Sequence, residues 1–465
     1  MASSHSTFTM ESSEYTSRLA RTLFGGAESG SLETKLARGA IGSFGLKISF
    51  TGFAFLVSLI LARTLGAAQY GVYAYILAWV NVLCIGVLAG LENVIIREVA
   101  TGQARSAWGV VRGLLRWSNR VVLALAVTIG LVAALAVTGI ARQVNWPHLP
   151  AFLIALILLP LMSLTRIRQS AMQGLQNVIA GQFPEAVIQP TIFIGLIAAS
   201  HFVWRWTLSA RSAFALYAIA AAVALVFGAA VLQFNLPPAA KQATPEYKPR
   251  QWIKSALPLL LVSGVSVLNA QVAIVLLGAI KGSQTVGLYA ITGRISDLIQ
   301  FGLISVNLAL APVAARLWAQ RDLPRLQLVV TKSIRAALIF TLAAGTILVV
   351  FGERLLSVFG PEFPAGQPAL VLLVIGQTVN VAMGPVALLL VMTGHERVLA
   401  ISTCACGVLN IVLNVVLVPF WGLVGTAMSL AISLSVWNIL LAVWIKRRLG
   451  IHPTAIGVIG GQTQR

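Results

Sequence analysis

The chain alternates between long apolar stretches and short polar gaps. Apolar runs lie at roughly 39–63, 70–92, 119–140, 149–167, 184–203 and 211–233. A basic, Pro-containing segment from Asn235 to Arg250 follows, and then six more runs near 255–279, 286–310, 333–352, 366–391, 396–418 and 422–446. Each is close to the roughly 20 residues a helix needs to cross a hydrocarbon core. Backbone amides find no water there, so runs of this length must satisfy their own hydrogen bonds as helices. The pattern predicts an all-α, polytopic membrane protein of about 12 transmembrane helices. It divides into a disordered cytoplasmic tail (1–38), an N-terminal six-helix lobe (39–233), a cytoplasmic linker (234–254), a C-terminal six-helix lobe (255–446) and a second cytoplasmic tail (447–465).

Composition agrees with a surface built for lipid. Of 465 residues, 58% are apolar and only 10% charged, where a soluble domain carries about 25% charged residues. The net charge of +20 would suggest a nucleic-acid partner if it were gathered in one patch. Instead the cations sit in alternate gaps. Twenty-five Lys and Arg fall in the two tails, the linker and the even-numbered gaps, against six in the odd-numbered gaps. That asymmetry sets both termini in the cytoplasm and excludes nucleic acid as the partner. The expected location is the cell inner (plasma) membrane. The N-terminus has no apolar core behind a basic start, so it does not read as a signal peptide. Cys84, Cys404 and Cys406 all lie in apolar segments and read as small fillers. No metal-ligand spacing, phosphate loop or nucleophile elbow is found, so no cofactor, metal or enzymatic activity is expected.

The chain also repeats. Gly66-Ala-Ala-Gln-Tyr-Gly71-Val-Tyr73-Ala74 aligns with Gly282-Ser-Gln-Thr-Val-Gly287-Leu-Tyr289-Ala290 at a shift of 216. Met172-Gln-Gly174-Leu-Gln-Asn-Val178 aligns with Met392-Thr-Gly394-His-Glu-Arg-Val398 at a shift of 220. An even number of helices per half makes the halves parallel repeats, the arrangement that holds a substrate at the repeat interface. The second gap, with Trp108, Val111, Leu115 and Trp117 apolar and Arg105, Arg112 and Arg116 cationic, reads as an interfacial helix. Gln189-Pro190 and Gly384-Pro385 read as helix breaks able to act as hinges.

Several segments look familiar as a family. Leu61-Ala-Arg63-Thr-Leu-Gly66 running into Gly71-Val-Tyr73 is one, and Phe359-Gly360-Pro361-Glu362-Phe363 followed by Met392-Thr-Gly394-His-Glu is another. Leu409-Asn410-Ile-Val-Leu-Asn414 and Pro419-Phe-Trp-Gly422-Leu-Val-Gly425 complete the set. Together they resemble the O-antigen and exopolysaccharide unit flippases of the multidrug/oligosaccharidyl-lipid/polysaccharide exporter superfamily. The resemblance implies two six-helix lobes in a V around a central cavity. It also implies flipping of a polyprenyl-pyrophosphate-linked oligosaccharide for lipopolysaccharide or exopolysaccharide biosynthesis. Partners implied are the lipid-linked glycan, membrane lipids, and a polysaccharide polymerase with its chain-length machinery.

Few ionisable residues lie well inside the spans, where each costs about 2.5–3.5 kcal/mol. Lys47 is two turns into the first span and Arg294 lies in the eighth. These match helices on which superfamily flippases carry cavity cations thought to hold the pyrophosphate. The second span departs from that pattern, with Asn81 and no mid-helix cation. Asp297, three residues after Arg294, either neutralises it as a structural pair or serves in coupling. Lys47 has the alternative of snorkelling to headgroups. Arg166 and Arg168 end the fourth span as headgroup anchors, with Glu185 a partner for them. Asn81, Asn269, Gln377, Asn380 and Asn410 are candidate sugar contacts, with interhelical hydrogen bonding as the competing use. Two rivals stand beside the flippase: a cation-coupled multidrug or metabolite exporter of the same superfamily, and a membrane glycosyltransferase or polymerase.

Overall fold

The computed structural model describes residues 32–144, 146–202 and 208–455. The first expected tail falls mostly outside this range, and residues 32–38 already belong to the first helix. Among the described residues, ten helical segments are long and apolar enough to span a bilayer. Two of these are double. The segment Leu32–Leu88 breaks at Gly66 and the segment Glu396–Leu449 breaks at Gly422, both glycines leaving helical geometry with positive φ. Twelve spanning helices result, as the apolar pattern predicts.

In the first lobe these are α1 (32–65), α2 (67–88), α3 (Trp108–Val144), α4 (Leu149–Gly174), α5 (178–202) and α6 (Ala210–Asn235). The second holds α7 (Pro249–Lys281), α8 (Ser283–Ala319), α9 (Leu323–Val350), α10 (Phe363–Met392), α11 (396–421) and α12 (423–449). Among the described residues there is no strand. The turns at Gly66, Gly282, 351–362 and Gly422 gather at one end of the molecule. Arg63 Nε donates to the Val358 carbonyl at 2.6 Å, and Lys281 lies against Gly422. The start of α6 joins this end, with Ala210 N donating to Gln69 Oε1 at 3.2 Å, while the linker lies at the opposite end, where Glu246 N donates to the Gly109 carbonyl.

Gly66 at φ 71° and Gly282 at φ 82° occupy the same left-handed bend, one before α2 and one before α8. Only glycine adopts it without cost, because it lacks a Cβ. Five residues on, α2 and α8 cross. A Cβ on Gly71 would lie 1.7 Å from the Ser283 carbonyl oxygen, and one on Gly287 would lie 2.1 Å from that of Ala67. Gly71 corresponds to Gly287 and Ala67 to Ser283 at the same shift of 216, so the contact is reciprocal and marks the axis relating the lobes. At the second repeat, helix-ending bonds run from Asn177 N to Met172 O and from His395 N to Leu390 O. That structural equivalence has a shift of 218, two residues from the sequence alignment, because Gln176 takes the left-handed position that Gly394 holds in the second lobe.

The lobes are joined at the Gly66 end by more than the glycine crossing. Ala67 N donates to Glu362 Oε2 at 2.8 Å, and the Phe55 and Phe359 rings meet edge to face at 5.4 Å. Along α1, Leu61, Ala62 and Leu65 are buried while Lys47 to Phe50 are exposed. The lobes therefore close at this end and the start of α1 stands free of the second lobe, while α7 keeps touch with the first lobe at the linker end, where Arg97 Nη2 donates to Ser255 Oγ at 3.1 Å, in a V-shaped, exporter-type architecture.

One local reading changes. Residues 108–117 are not a separate interfacial helix but the opening turns of α3, with Val111 and Leu114 fully buried; the short helix in that gap is Leu91–Ala104. The linker is packed against the first lobe. Glu246 N donates to the Gly109 carbonyl at 2.9 Å, Arg112 donates to the Ala243 carbonyl at 2.6 Å, and Trp252 is fully buried against Trp117. Of the two expected proline breaks, α5 stays helical through Gln189-Pro190, while that at Gly384-Pro385 interrupts its helix. In α5 a π-turn, Pro184–Ile188, precedes Pro190, which has no N–H to continue the ladder. In α10 the helix stops at Gly384.

Candidate functional site: a central cavity between the lobes

A cavity of about 560 Å³ lies where the lobes face each other, walled by α1, α2, α5, α6, α7 and α8 with Leu430 of α12. On α1 the lining residues are Phe50, Ala54, Val57, Ser58 and Leu61. Their spacing is that of one helical stripe. On α2 they are Tyr70, Tyr73, Ala74, Leu77, Ala78 and Asn81, and on α8 Tyr289, Ala290, Gly293, Arg294 and Asp297. Shifted by 216, Tyr73, Ala74, Leu77, Ala78 and Asn81 fall on Tyr289, Ala290, Gly293, Arg294 and Asp297. The two repeats thus present the same five positions to the cavity. The charge is asymmetric: Arg294 stands where the first repeat has Ala78, and Asp297 where it has Asn81.

Arg294 and Asp297 are both at the cavity wall, yet they form no ion pair within 4.0 Å; the Asp297 carboxylate instead accepts from Gln300 Nε2 at 3.0 Å. Those bonds fall in a 3-10 turn, Asp297–Gln300, that tightens α8 at this level. Arg294 is half-buried, with no carboxylate in contact among the described residues. Lys47 is exposed and is not one of the lining residues. It lies one turn beyond Phe50 on the same stripe of α1, further from Gly66 than any lining residue of that helix.

The polar candidates divide. Asn81 lines the cavity, its amide donating to the Leu77 carbonyl at 3.0 Å. Asn269 sits beside Gly407 of α11, its amide oxygen buried without a donor. Asn380 donates to Gln377 at 3.2 Å, and the buried Asn414 donates to the Asn410 carbonyl at 2.9 Å. These four candidates, Asn269, Gln377, Asn380 and Asn410, are packed within the second lobe and outside the cavity lining. Arg166 approaches Glu92 at 3.8 Å, while Glu185 turns to the cavity. Glu92 lies outside the spans, and burial raises its carboxyl above the usual range, with Arg166 pulling it partly back.

What the residue pattern did not single out is aromatic. Four of the seven tyrosines, Tyr70, Tyr73, Tyr217 and Tyr289, line the cavity. Tyr73 packs on Phe214 at 4.8 Å and edge-on to Tyr217 at 6.5 Å, and Phe193 supports Tyr217 at 5.1 Å. With Ser58, Gln189 and Gln271 they provide rings and hydroxyls around a single guanidinium. The only hint in the sequence was that Tyr73 and Tyr289 recur at the repeat shift.

Two like-facing six-helix lobes around a central, polar-lined cavity define a multi-pass membrane transporter fold. Solved structures with that fold are similar over most of the chain. An inward-facing multidrug resistance MATE family transporter matches with a TM-score of 0.69 and 15% identity, covering 86% of this chain and 94% of that one. The lipid II flippase MurJ in an inward closed conformation matches with a TM-score of 0.67 and 13% identity, covering 88% and 87%. In sequence, a probable low-salt glycan biosynthesis flippase, Agl15 of Haloferax volcanii, is 25% identical over 428 residues, covering 90% of this chain and 84% of that protein. The polysaccharide biosynthesis protein family model matches residues 36–318, and the MatE model residues 258–416. The chain belongs to the polysaccharide biosynthesis protein family, whose model matches more than half of it.

Proposed function

We propose that this protein flips a polyprenyl-pyrophosphate-linked oligosaccharide from the cytoplasmic to the outer leaflet of the inner membrane by alternating access, for surface polysaccharide assembly. The observation that carries the reading is Arg294, a guanidinium at the wall of a membrane-embedded cavity with no carboxylate bound to it. A pyrophosphate cannot cross about 30 Å of hydrocarbon bare. Arg offers it forked donors in place of water. Lys47, one turn beyond Phe50 on the same helical stripe, is a first contact for the incoming phosphates. The tyrosine rings suit the apolar faces of sugars, and their hydroxyls, with Asn81 and Gln271, suit sugar hydroxyls. The polyprenyl chain stays in lipid where the lobes part.

The Gly66 end is the closed, outer gate in this reading, and both termini are cytoplasmic. The glycan then becomes available outside to a polymerase and chain-length machinery, for lipopolysaccharide or exopolysaccharide. The test is Arg294→Ala and, separately, Lys47→Ala, each with membrane insertion checked by fractionation. Accumulation of lipid-linked oligosaccharide on the cytoplasmic leaflet and loss of surface polymer are expected. Full export in both variants would overturn the assignment.

One observation favours a second reading. Two carboxylates, Glu185 and Asp297, share the cavity with one cation, a balance that suits a cation-coupled exporter of drugs or metabolites. Antibiotic resistance on overexpression, lost in Asp297→Asn, together with normal surface polymer in a deletion strain, would replace the first reading with this one.

A further inference from the structure

A second cavity, of about 380 Å³, lies within the first lobe at the linker end. It is formed by the start of α3, the end of α4, the end of α6 and the short linker helix Pro238–Gln242. It shares no lining residue with the central cavity. Four cations from three of these elements line it: Arg112, Arg116, Arg168 and Lys241. No acidic residue does. Among the described residues none of the four makes an ion pair. Arg112 and Arg168 are fixed by backbone carbonyls, Ala243 and Leu164, at 2.6 and 2.8 Å. Arg116 and Lys241 are exposed. Like charges brought together without a counter-charge repel, and an anion supplies what is missing.

Two further observations narrow its chemistry. The amide oxygen of Asn119, at the wall, is buried without a donor, which suits a hydroxyl. The remaining wall is apolar, including Leu115, Leu232 and Leu236, which suits a glycerol and the root of an acyl chain. We propose that this pocket binds a glycerol phosphate ester, the diester of an anionic glycerophospholipid from the surrounding leaflet or the monoester of a soluble glycerophosphate. The phosphate bridges Arg116 of α3 and Lys241 of the linker, and so ties the linker between the lobes to the first lobe. The site stands independently of the transported substrate.

The experiment is thermal unfolding of the purified full chain in mild detergent, titrated with phosphatidylglycerol, phosphatidylcholine or glycerol 3-phosphate. Phosphatidylglycerol should raise the melting temperature of the wild type, and phosphatidylcholine should not. In R116Q/K241Q the half-saturating concentration should rise about thirtyfold, as expected for two lost surface cations, while R116K/K241R should retain wild-type binding. A glycerol 3-phosphate shift equal to that of phosphatidylglycerol, also lost in R116Q/K241Q, supports the site with a soluble source; a shift from the lipid alone supports the leaflet. Equal phosphatidylglycerol response in the wild type and R116Q/K241Q would overturn the proposal. So would a phosphatidylcholine response as large as that to phosphatidylglycerol.

Discussion

The reciprocal crossing of α2 and α8 makes a quantitative demand. In Gly71→Ala the new Cβ would stand 1.7 Å from the Ser283 carbonyl oxygen, where ordinary contact begins at 3.4 Å. The obstructing atoms are backbone, so no rotamer relieves the clash and the helices must part by about 1.5 Å. Overpacking of this kind costs about 1–3 kcal/mol. The same end carries the Ala67–Glu362 and Arg63–Val358 hydrogen bonds, each worth about 1 kcal/mol net. Gly71→Ala should therefore destabilise by about 3 kcal/mol and lower the apparent melting temperature of purified protein by roughly 5 °C or more. Gly287→Ala, with 2.1 Å to Ala67, should behave alike and slightly more mildly. Because both glycines serve one contact, the double variant should cost little beyond the worse single, within about 1 kcal/mol. A wild-type melting temperature in Gly71→Ala, or strict additivity in the double variant, would refute the shared crossing.

Further outcomes follow from particular contacts. Arg294→Ala abolishes export in the proposed function, and moving the cation across the pseudo-symmetry axis, as A78R in that background, should restore measurable surface polymer; no recovery, with normal insertion, would argue that the cavity reads the side as well as the charge. Glu362→Gln keeps a weaker acceptor for Ala67 N and should destabilise by about 1 kcal/mol, seen as faster proteolysis of the 351–362 turn. Gln327 exchanges two hydrogen bonds with the His452 backbone, at 2.8 and 2.7 Å; Gln327→Leu should cost about 2 kcal/mol and free the 450–455 segment to hydrogen exchange. Glu92, raised above its ordinary 4.5 by burial, binds its proton more tightly folded than unfolded. Its ionised form then weighs against folding above the raised pKa, and that penalty disappears as pH falls through the raised pKa to 4.5. Melting temperatures of the wild type and Glu92→Gln should converge from pH 8 towards pH 4.5, and a constant gap would contradict the burial argument.

The helices were legible because hydrophobicity over a bilayer's thickness is a one-dimensional property. A run of about 20 apolar residues dictates a helix wherever it lies, and two matches at nearly one shift dictated parallel halves. Even the bend glycines announced themselves, since Gly66 and Gly282 are alike in residue and place. The sequence also singled out Arg294 and Asp297, because a charge in an apolar run is conspicuous without any knowledge of neighbours. Which face a residue presents is a different kind of fact. Tyr70, Tyr73, Tyr217 and Tyr289 are unremarkable in their own segments and become one wall only when three helices converge. Asn269, Gln377, Asn380 and Asn410 looked equally suited to sugars, and tertiary packing turned them into the second lobe. Arg112, Arg168 and Lys241 are spread over 130 residues and share a pocket only because the linker folds back onto α3. Local chemistry along the chain determined which segments enter the lipid and how the halves repeat. The sites depend on contacts between distant segments, and those were decided only when the helices packed.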